Sequence, residues 1–233
     1  IYVGDSPQEL FIENNIIAGN SNGAFYSNIQ GYESFTDYPF TNNAFINNIS
    51  NNNHSIIEYD VELDGNQLFD NNLFFNNVNN STNESIIEIQ NGSFPNIRYN
   101  NFIGNQSTYF LRNGNSYSST VNDALYNYWD TTIESEIQEI IYDWWDDPNL
   151  GFFDYDPWLT EPSIDAPISP PANVIKQLSG NDLILTWEAN PESDLAGYKI
   201  HYGNFTGYSY NTNIDLGNVN TYTLTNVSID SSI

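Results

Sequence analysis

Apolar residues in the first half of this chain arrive in short bursts separated by polar turns, and one burst recurs at a near-constant spacing. It reads Asn15-Ile16-Ile17-Ala18-Gly19-Asn20, then Asn43-Ala44-Phe45-Ile46-Asn47-Asn48, then Asn72-Leu73-Phe74-Phe75-Asn76-Asn77, then Asn100-Asn101-Phe102-Ile103-Gly104-Asn105. The leading Asn recurs at intervals of 28, 29 and 28 residues, and an altered copy, Asn127-Tyr128-Trp129-Asp130-Thr131-Thr132, follows 27 residues later. A second apolar run follows each Asn: Ala24-Phe25-Tyr26, Ile56-Ile57, Ile86-Ile87-Glu88-Ile89 and Tyr109-Phe110-Leu111. These runs are short, β-branched or aromatic, and bounded by Asn, Gly and Ser, which is strand chemistry. No stretch before residue 131 carries a helical stripe of apolar residues. Self-similarity at such a period predicts stacked units that bury a shared core. Each unit is expected to hold two or three short strands joined by turns, as in a parallel β-helix.

The repeated Asn has a physical reason to recur. Equivalent positions of successive coils stack about 4.8 Å apart, and a side-chain amide carries both a donor and an acceptor. Asn15, Asn43, Asn72 and Asn100 are therefore expected to form one internal ladder, with Ile17, Phe45, Phe74 and Phe102 as an apolar stack beside it. Asn also tolerates the left-handed backbone of tight corners. Asn is abundant throughout the chain, so scatter from composition is the competing explanation; the regular spacing favours the ladder.

The period changes at residue 131. Ile133, Ile137, Ile140 and Ile141 fall on one face of a helix, and Thr131 with Glu134 has capping-box spacing. A solenoid needs its last coil covered, so this helix with Trp144, Trp145, Phe152, Phe153 and Trp158 reads as a C-terminal cap over 131–159. The same aromatics would also suit a carbohydrate-stacking platform. Asp143, Asp146, Asp147, Asp154 and Asp156 crowd the same segment. Carboxylates this dense could hold calcium, but with no Asp-x-Asp-x-Asp-Gly loop a solvated, turn-forming acidic loop is the favoured reading.

The repeats over roughly residues 8–160 resemble the right-handed parallel β-helix of pectate-lyase-like and periplasmic copper-loading-like proteins. The segment Tyr126-Asn127-Tyr128-Trp129-Asp130 with Asp156-Pro157-Trp158-Leu159 is similar to the stretch that closes such helices in secreted bacterial proteins, where Asn-Trp-Trp-Gly is usual. The resemblance implies the fold. It leaves activity open, because that family includes lyases, hydrolases, epimerases and non-catalytic surface proteins.

Residues 160–172 hold four Pro and no periodic pattern, and read as an extended linker. Beyond it Leu183-Ile184-Leu185-Thr186-Trp187, Tyr198-Lys199-Ile200-His201-Tyr202 and Tyr222-Thr223-Leu224 alternate, as half-buried antiparallel strands do. With Pro170-Pro171-Ala172-Asn173-Val174 and Pro191-Glu192-Ser193-Asp194-Leu195, these residues resemble a fibronectin type III domain. Residues 173–233 are too few for the seven strands of that fold. The expectation is a piece of a longer polypeptide; strand donation by a neighbouring molecule is the alternative. The expected fold is thus all-β: a parallel β-helix of about five coils with a helical and aromatic cap over 1–159, then an incomplete fibronectin-like sandwich.

Charge narrows the partners. Thirty acidic residues against four Lys and Arg give a net charge of −26, which disfavours nucleic acid and anionic membrane surfaces. No apolar run approaches the roughly 18 residues of a membrane-crossing helix. The absence of Cys leaves the redox compartment open. Candidate chemistry is sparse. A polysaccharide lyase needs a base and a cation near a uronate, and the solenoid offers Arg98, Arg112 and His54. Two arginines paired with acidic neighbours are the plainer reading. Hydrolases use clustered carboxylates; Asp60, Asp64 and Asp70 lie in a single coil. His201 alternates with core positions and is expected to face solvent.

The expected function is therefore the non-catalytic part of a large, secreted, modular bacterial cell-surface protein, for adhesion, matrix or filament structure, or glycan binding. No catalytic residue is assigned. Its partners would be polysaccharide or other surface components, or further copies of itself. The alternatives are the C-terminal portion of a β-helix polysaccharide lyase or hydrolase, and a self-assembling filament subunit with strand exchange.

Overall fold

A computed structural model of the chain describes residues 2–3, 11–30, 37–51, 53–62, 66–90, 92–116, 119–203 and 212–226. Contacts divide it into two units, Ile1–Pro167 and Ile168–Ile233. The first is a parallel β-solenoid of about four turns. Its strands run β1 (Tyr2–Val3), β2 (Ile12–Glu13) and β3 (Ile16–Ala18); then β4 (Phe25–Gln30), β5 (Asp37–Thr41), β6 (Ala44–Ile46) and β7 (Ile49–Ser50). They continue with β8 (Ile57–Glu62), β9 (Asn66–Asp70), β10 (Leu73–Phe75) and β11 (Val78–Asn79); then β12 (Ser85–Ile89), β13 (Asn96–Arg98) and β14 (Asn101–Ile103). The last part holds β15 (Tyr109–Asn113), β16 (Val121–Asp123), α1 (Glu134–Glu139), β17 (Ile141–Tyr142) and β18 (Phe152–Asp154). Each strand pairs in parallel with its equivalent in the next coil. This gives a six-stranded sheet β1-β4-β8-β12-β15-β17, two four-stranded sheets, β2-β5-β9-β13 and β3-β6-β10-β14, and two-stranded sheets β7-β11 and β16-β18.

The repeated phrase explains the corners. Asn14, Asn42, Asn71, Tyr99 and Tyr126 all adopt left-handed backbone, with φ between 54° and 58°. Each stands immediately before a ladder residue. A second set, Gly19, Asn47, Asn76, Gly104 and Asp130, turns the next corner with φ between 51° and 69°. Two Asn roles are thus split between neighbours: one residue takes the left-handed turn, the next enters the coil. At Gly104 a Cβ would stand 2.3 Å from the Asn76 side chain, so close stacking as well as φ favours glycine there.

Two amide ladders run through the interior. In the first, Asn15, Asn43, Asn72 and Asn100 each donate both backbone N–H and Nδ2 to the Oδ1 of the next rung, ending on Asn127, at 2.8–3.1 Å. From Asn43 onward each Nδ2 also donates to a carbonyl of the preceding coil, on Ile12, Phe40, Phe69 and Ile97. The second ladder, Asn20-Asn48-Asn77-Asn105, repeats this geometry, with Nδ2 donors to Ile17, Phe45 and Phe74 carbonyls. Buried polar groups are tolerable only when satisfied, and here one side chain satisfies three coils.

Between the ladders Phe45, Phe74, Phe102 and Trp129 stack with ring centroids 4.8–5.3 Å apart and planes within 15°. Ile17 stands in register above Phe45. Phe40 and Phe69 form a parallel pair at 4.4 Å.

The end of the solenoid differs from its sequence pattern. The helix spans only Glu134–Glu139, its N-cap is Ile133, and no side chain caps it. Thr131 instead accepts the Ile133 N–H and pairs with Glu136. Ile137 is fully buried, Ile133 is exposed, and Ile141 belongs to β17, where the parallel pairing with Leu111 outcompetes a further helical turn. The Pro-rich stretch is partly tied down: Ser163 N–H donates to Asn101 Oδ1 at 2.7 Å, and Asn101 Nδ2 returns to the Ser163 carbonyl.

The second unit is antiparallel. β19 (Ile175–Ser179), β20 (Asp182–Thr186) and β23 (Thr221–Leu224) form one sheet, in the order β19-β20-β23, and β21 (Lys199–Tyr202) with β22 (Thr212–Asp215) forms another. They share a small core of Leu183, Leu185, Trp187, Ile200 and Leu224.

Candidate functional site

Side chains alternate across a strand, so the six-stranded sheet has an inward and an outward set. Ile57, Ile87 and Leu111 face the core in register, and the next residues, Glu58, Glu88, Arg112 and Tyr142, form an outward row. Two glutamates therefore stand on adjacent strands, one coil apart. Both are largely covered, 6% and 7% exposed, because their neighbours fold over them. His54 Nδ1 lies 2.6 Å from Glu58 Oε1. Arg112 reaches Glu84 at 3.5 Å and Glu88 at 3.8 Å, and donates to the Asn83 carbonyl. Ser55 Oγ bridges the Ser85 hydroxyl, Glu84 and Glu88 at 3.0–3.4 Å. The Arg112 guanidinium stands over the Tyr142 ring at 5.2 Å, a cation–π distance, and Tyr109 lies 5.0 Å from Tyr142.

Burial pushes the Glu88 carboxyl above its ordinary range. Arg112 and a hydrogen bond from Gln90 oppose this, and the Glu84 and Glu58 charges add to it. Burial likewise raises the Tyr109 phenol, helped by Asp146 and Tyr142. The strip therefore offers acceptors, donors and two aromatic edges at coil spacing. A raised carboxyl with a second carboxyl one coil away is a pattern that acid–base chemistry can also use.

The residues singled out in sequence scatter around this strip. Arg112 and His54 belong to it, whereas Arg98 lies on β13 in another sheet. There Arg98 makes a two-pronged pair with Asp123, with Asp70 alongside. Asp60 is buried on β8 and Asp70 lies on β9, in different sheets; Asp64 falls outside the described residues. Burial pushes Asp70 up to about 6, against the Arg98 N–H and charge that pull it down. Glu58, Glu84 and Glu88 were not singled out. The repeated Ile56-Ile57-Glu58 and Ile86-Ile87-Glu88, thirty residues apart, is the signal that marks them.

The aspartates after the helix serve their own loop. Asp143, 3% exposed, accepts the Trp145 and Phe153 N–H groups, and burial raises its carboxyl. Asp146 accepts the Asp143 N–H, and Asp147 accepts the backbone and side-chain N–H groups of Asn149. Asp154 and Asp156 are exposed. Among the described residues no three His, Asp or Glu side chains come together in a metal-holding arrangement.

The aromatic segment divides. Phe153 enters the core and Trp158 packs against it. Trp144 stacks on Phe152 at 4.8 Å, and Trp145 stands edge-on to Trp144 and 67% exposed. His201 is exposed. Among the described residues no helix is long and apolar enough to cross a membrane. No protein-family model, no curated protein and no solved structure matches this chain.

Proposed function

We propose that this chain is a non-catalytic, glycan-engaging part of a secreted, modular bacterial cell-surface protein. The observation that carries this is the outward row Glu58–Glu88–Arg112–Tyr142, whose polar groups are held in place by His54, Ser55 and Glu84. The more open members of the strip, His54, Arg112 and Tyr142, present hydrogen-bonding groups to a sugar chain lying along the solenoid, over the covered glutamates that hold them. The rings of Tyr109 and Tyr142, and of Trp144 and Trp145, supply faces for sugar C–H groups. The two arginines that a lyase would use are committed to acidic partners, which supports binding over elimination. The second unit fits a fibronectin type III-like spacer, with Leu183, Leu185 and Trp187 as its inner face.

The test is to incubate the whole chain with a panel of neutral and acidic polysaccharides. Retention of at least one glycan is expected, weakened about tenfold by Glu88→Gln paired with Arg112→Gln, a loss typical of charge-assisted hydrogen bonds. No new reducing ends or unsaturated uronates should appear. The second reading is a hydrolase, favoured by the raised Glu88 beside Glu58: glycoside cleavage uses one protonated and one ionised carboxyl. Depolymerisation abolished by Glu88→Gln alone would establish it and sink the first reading.

A further inference from the structure

The turn that leaves β17 presents aromatic rings and carboxylates together. Asp143 accepts the Trp145 N–H, and Asp146 accepts the Asp143 N–H. This wiring sets Trp145 in a tight turn with its side chain in water, 67% exposed. Its ring stands edge-on to Trp144 at 5.2 Å and to Phe152 at 6.3 Å, and those two rings stack on each other. Two rings thus brace a third that faces solvent. Side chains alternate along β18. Phe153 enters the core, so Phe152 and Asp154 share the outer face, where Asp154 is exposed. Asp146 is exposed as well, and stands near enough to the Tyr109 phenol to help push its pKa up. Asp146 therefore joins the aromatic turn to the strip of Tyr109, Tyr142 and Arg112.

No cation of the solenoid unit balances these carboxylates. Of the four Lys and Arg of the chain, only Arg98 and Arg112 fall before residue 168, and His54 is the one His there. Arg98 is taken by Asp123, Arg112 by Glu84 and Glu88, and His54 by Glu58. Each basic side chain of the unit is matched already, and neither Asp146 nor Asp154 is among the acids that match it. That separates the classes of glycan. A uronate chain would set its own carboxylates against Asp146 and Asp154, and like charges repel. A neutral chain would gain from the rings alone. A chain of amino sugars gains twice. Its ammonium groups suit the face of Trp145 and donate charge-assisted hydrogen bonds to the carboxylates. An ionised carboxylate accepts several donors, so Asp146 keeps its bond to Asp143 while it takes another. The net charge of −26 draws the same ligand out of solution.

We infer, on the reading of this surface as glycan-binding, that its glycan is a linear polysaccharide with free amino groups, held by Trp145, Asp146 and Asp154. The open face of Trp145 takes a sugar ring. Ammonium groups along the chain pair with the two aspartates. Each exposed pair is weak alone, and the repeat of the polysaccharide adds them together.

The test uses the whole chain and four soluble probes: a glucosamine hexamer with free amines, its N-acetylated twin, a galacturonate hexamer and hexalysine. Calorimetry, run below the pKa of the sugar amine, should show the glucosamine hexamer binding about tenfold tighter than any other probe, and less tightly as salt is added. Asp146→Asn with Asp154→Asn, in which the amide oxygen still accepts the Asp143 N–H, should cost that probe about tenfold and leave the N-acetylated twin unchanged. Trp145→Ala should weaken both sugars. Melting by circular dichroism should match the parent in each variant. A twin or a uronate that binds as tightly as the free amine overturns the inference and leaves the glycan reading standing. Hexalysine binding as tightly overturns it too, because bare charge then suffices. So does a glucosamine affinity that neither variant changes. If no sugar binds at all, the glycan reading falls with it.

Discussion

At the scale of the residue, asparagine does two jobs that a sequence alone runs together. At Asn14, Asn42, Asn71, Asn47 and Asn76 the first residue takes left-handed backbone at little steric cost, a place that Tyr or Gly fills in other coils; the next residue, an Asn, carries its amide inside. The interior amides all point one way along the stack, so each bond polarises the next. Asn72 occupies a central rung with no exposure. Asn72→Ala would take the Oδ1 acceptor from the Asn43 backbone N–H and from one Asn43 Nδ2 hydrogen, and remove the Nδ2 donor to the Phe40 carbonyl, while Asn100 Oδ1 would keep only the residue-72 backbone N–H. Buried polar groups left unmade cost about 1–3 kcal/mol each, so the variant should lose about 3 kcal/mol or more in denaturant unfolding. Asn15→Ala, at an exposed rung, should lose under about 1 kcal/mol. Equal losses at the two sites would show that the ladder does not act as a connected unit.

At the scale of the element, the coupling between strands carries the electrostatics. Arg98 on β13 stands in register with Asp70 on β9 and pairs with Asp123 on β16. The two carboxyls respond in opposite directions. Asp70 is raised, chiefly by burial, to about 6. Burial also pushes at Asp123, but its bonds from Arg98 and Leu125 and the Arg98 charge hold it below the ordinary range. A raised acid binds its proton more tightly folded than unfolded. Its stabilising share is full below the unfolded value near 4 and is lost as pH rises through about 6. The Asp123 share runs the other way, present above the ordinary value and lost as pH falls through the lowered one. Asp70→Asn isolates the first. The melting temperature of the parent relative to Asp70→Asn should be highest near pH 4 and fall toward pH 7; a difference that stays flat over that range would show that Asp70 does not titrate there.

The elements differ in how legible they were. The coil strands could be read, because Asn spacing and apolar bursts repeat together. The helix after Thr131 was overdrawn. Its stripe of isoleucines mixes a buried helical residue, Ile137, with a strand residue, Ile141, whose pairing lies 30 residues away at Leu111. The outward strip was nearly invisible. Which side of a strand faces out depends on register between coils, and the burial of Glu58 and Glu88 comes from His54, Arg112 and Ser55 folding over them. The acidic loop showed its composition but not its wiring, since Asp143 serves backbone groups two and ten residues on.

At the scale of the whole molecule, a coil touches only its neighbours, so the solenoid behaves as a one-dimensional array. Asn42 precedes Asn43 with the same backbone that Asn71 gives before Asn72. Excision of residues 43–71 therefore joins Asn42 directly to Asn72 and restores both corner and ladder. That variant should fold and melt cooperatively by circular dichroism. A half-coil deletion of residues 58–71, which leaves Asn43 and Asn72 only 15 residues apart, should not. Failure of the first would mean that the coils are less equivalent than their hydrogen bonds indicate.

The paired corner and ladder residues have a genetic corollary. Every coil begins with the same junction, so an in-frame duplication or loss of one repeat inserts or removes a complete structural unit without a new core. The reach of such a rod can drift in steps of one coil, by recombination between repeats, while the chemistry on its face is kept.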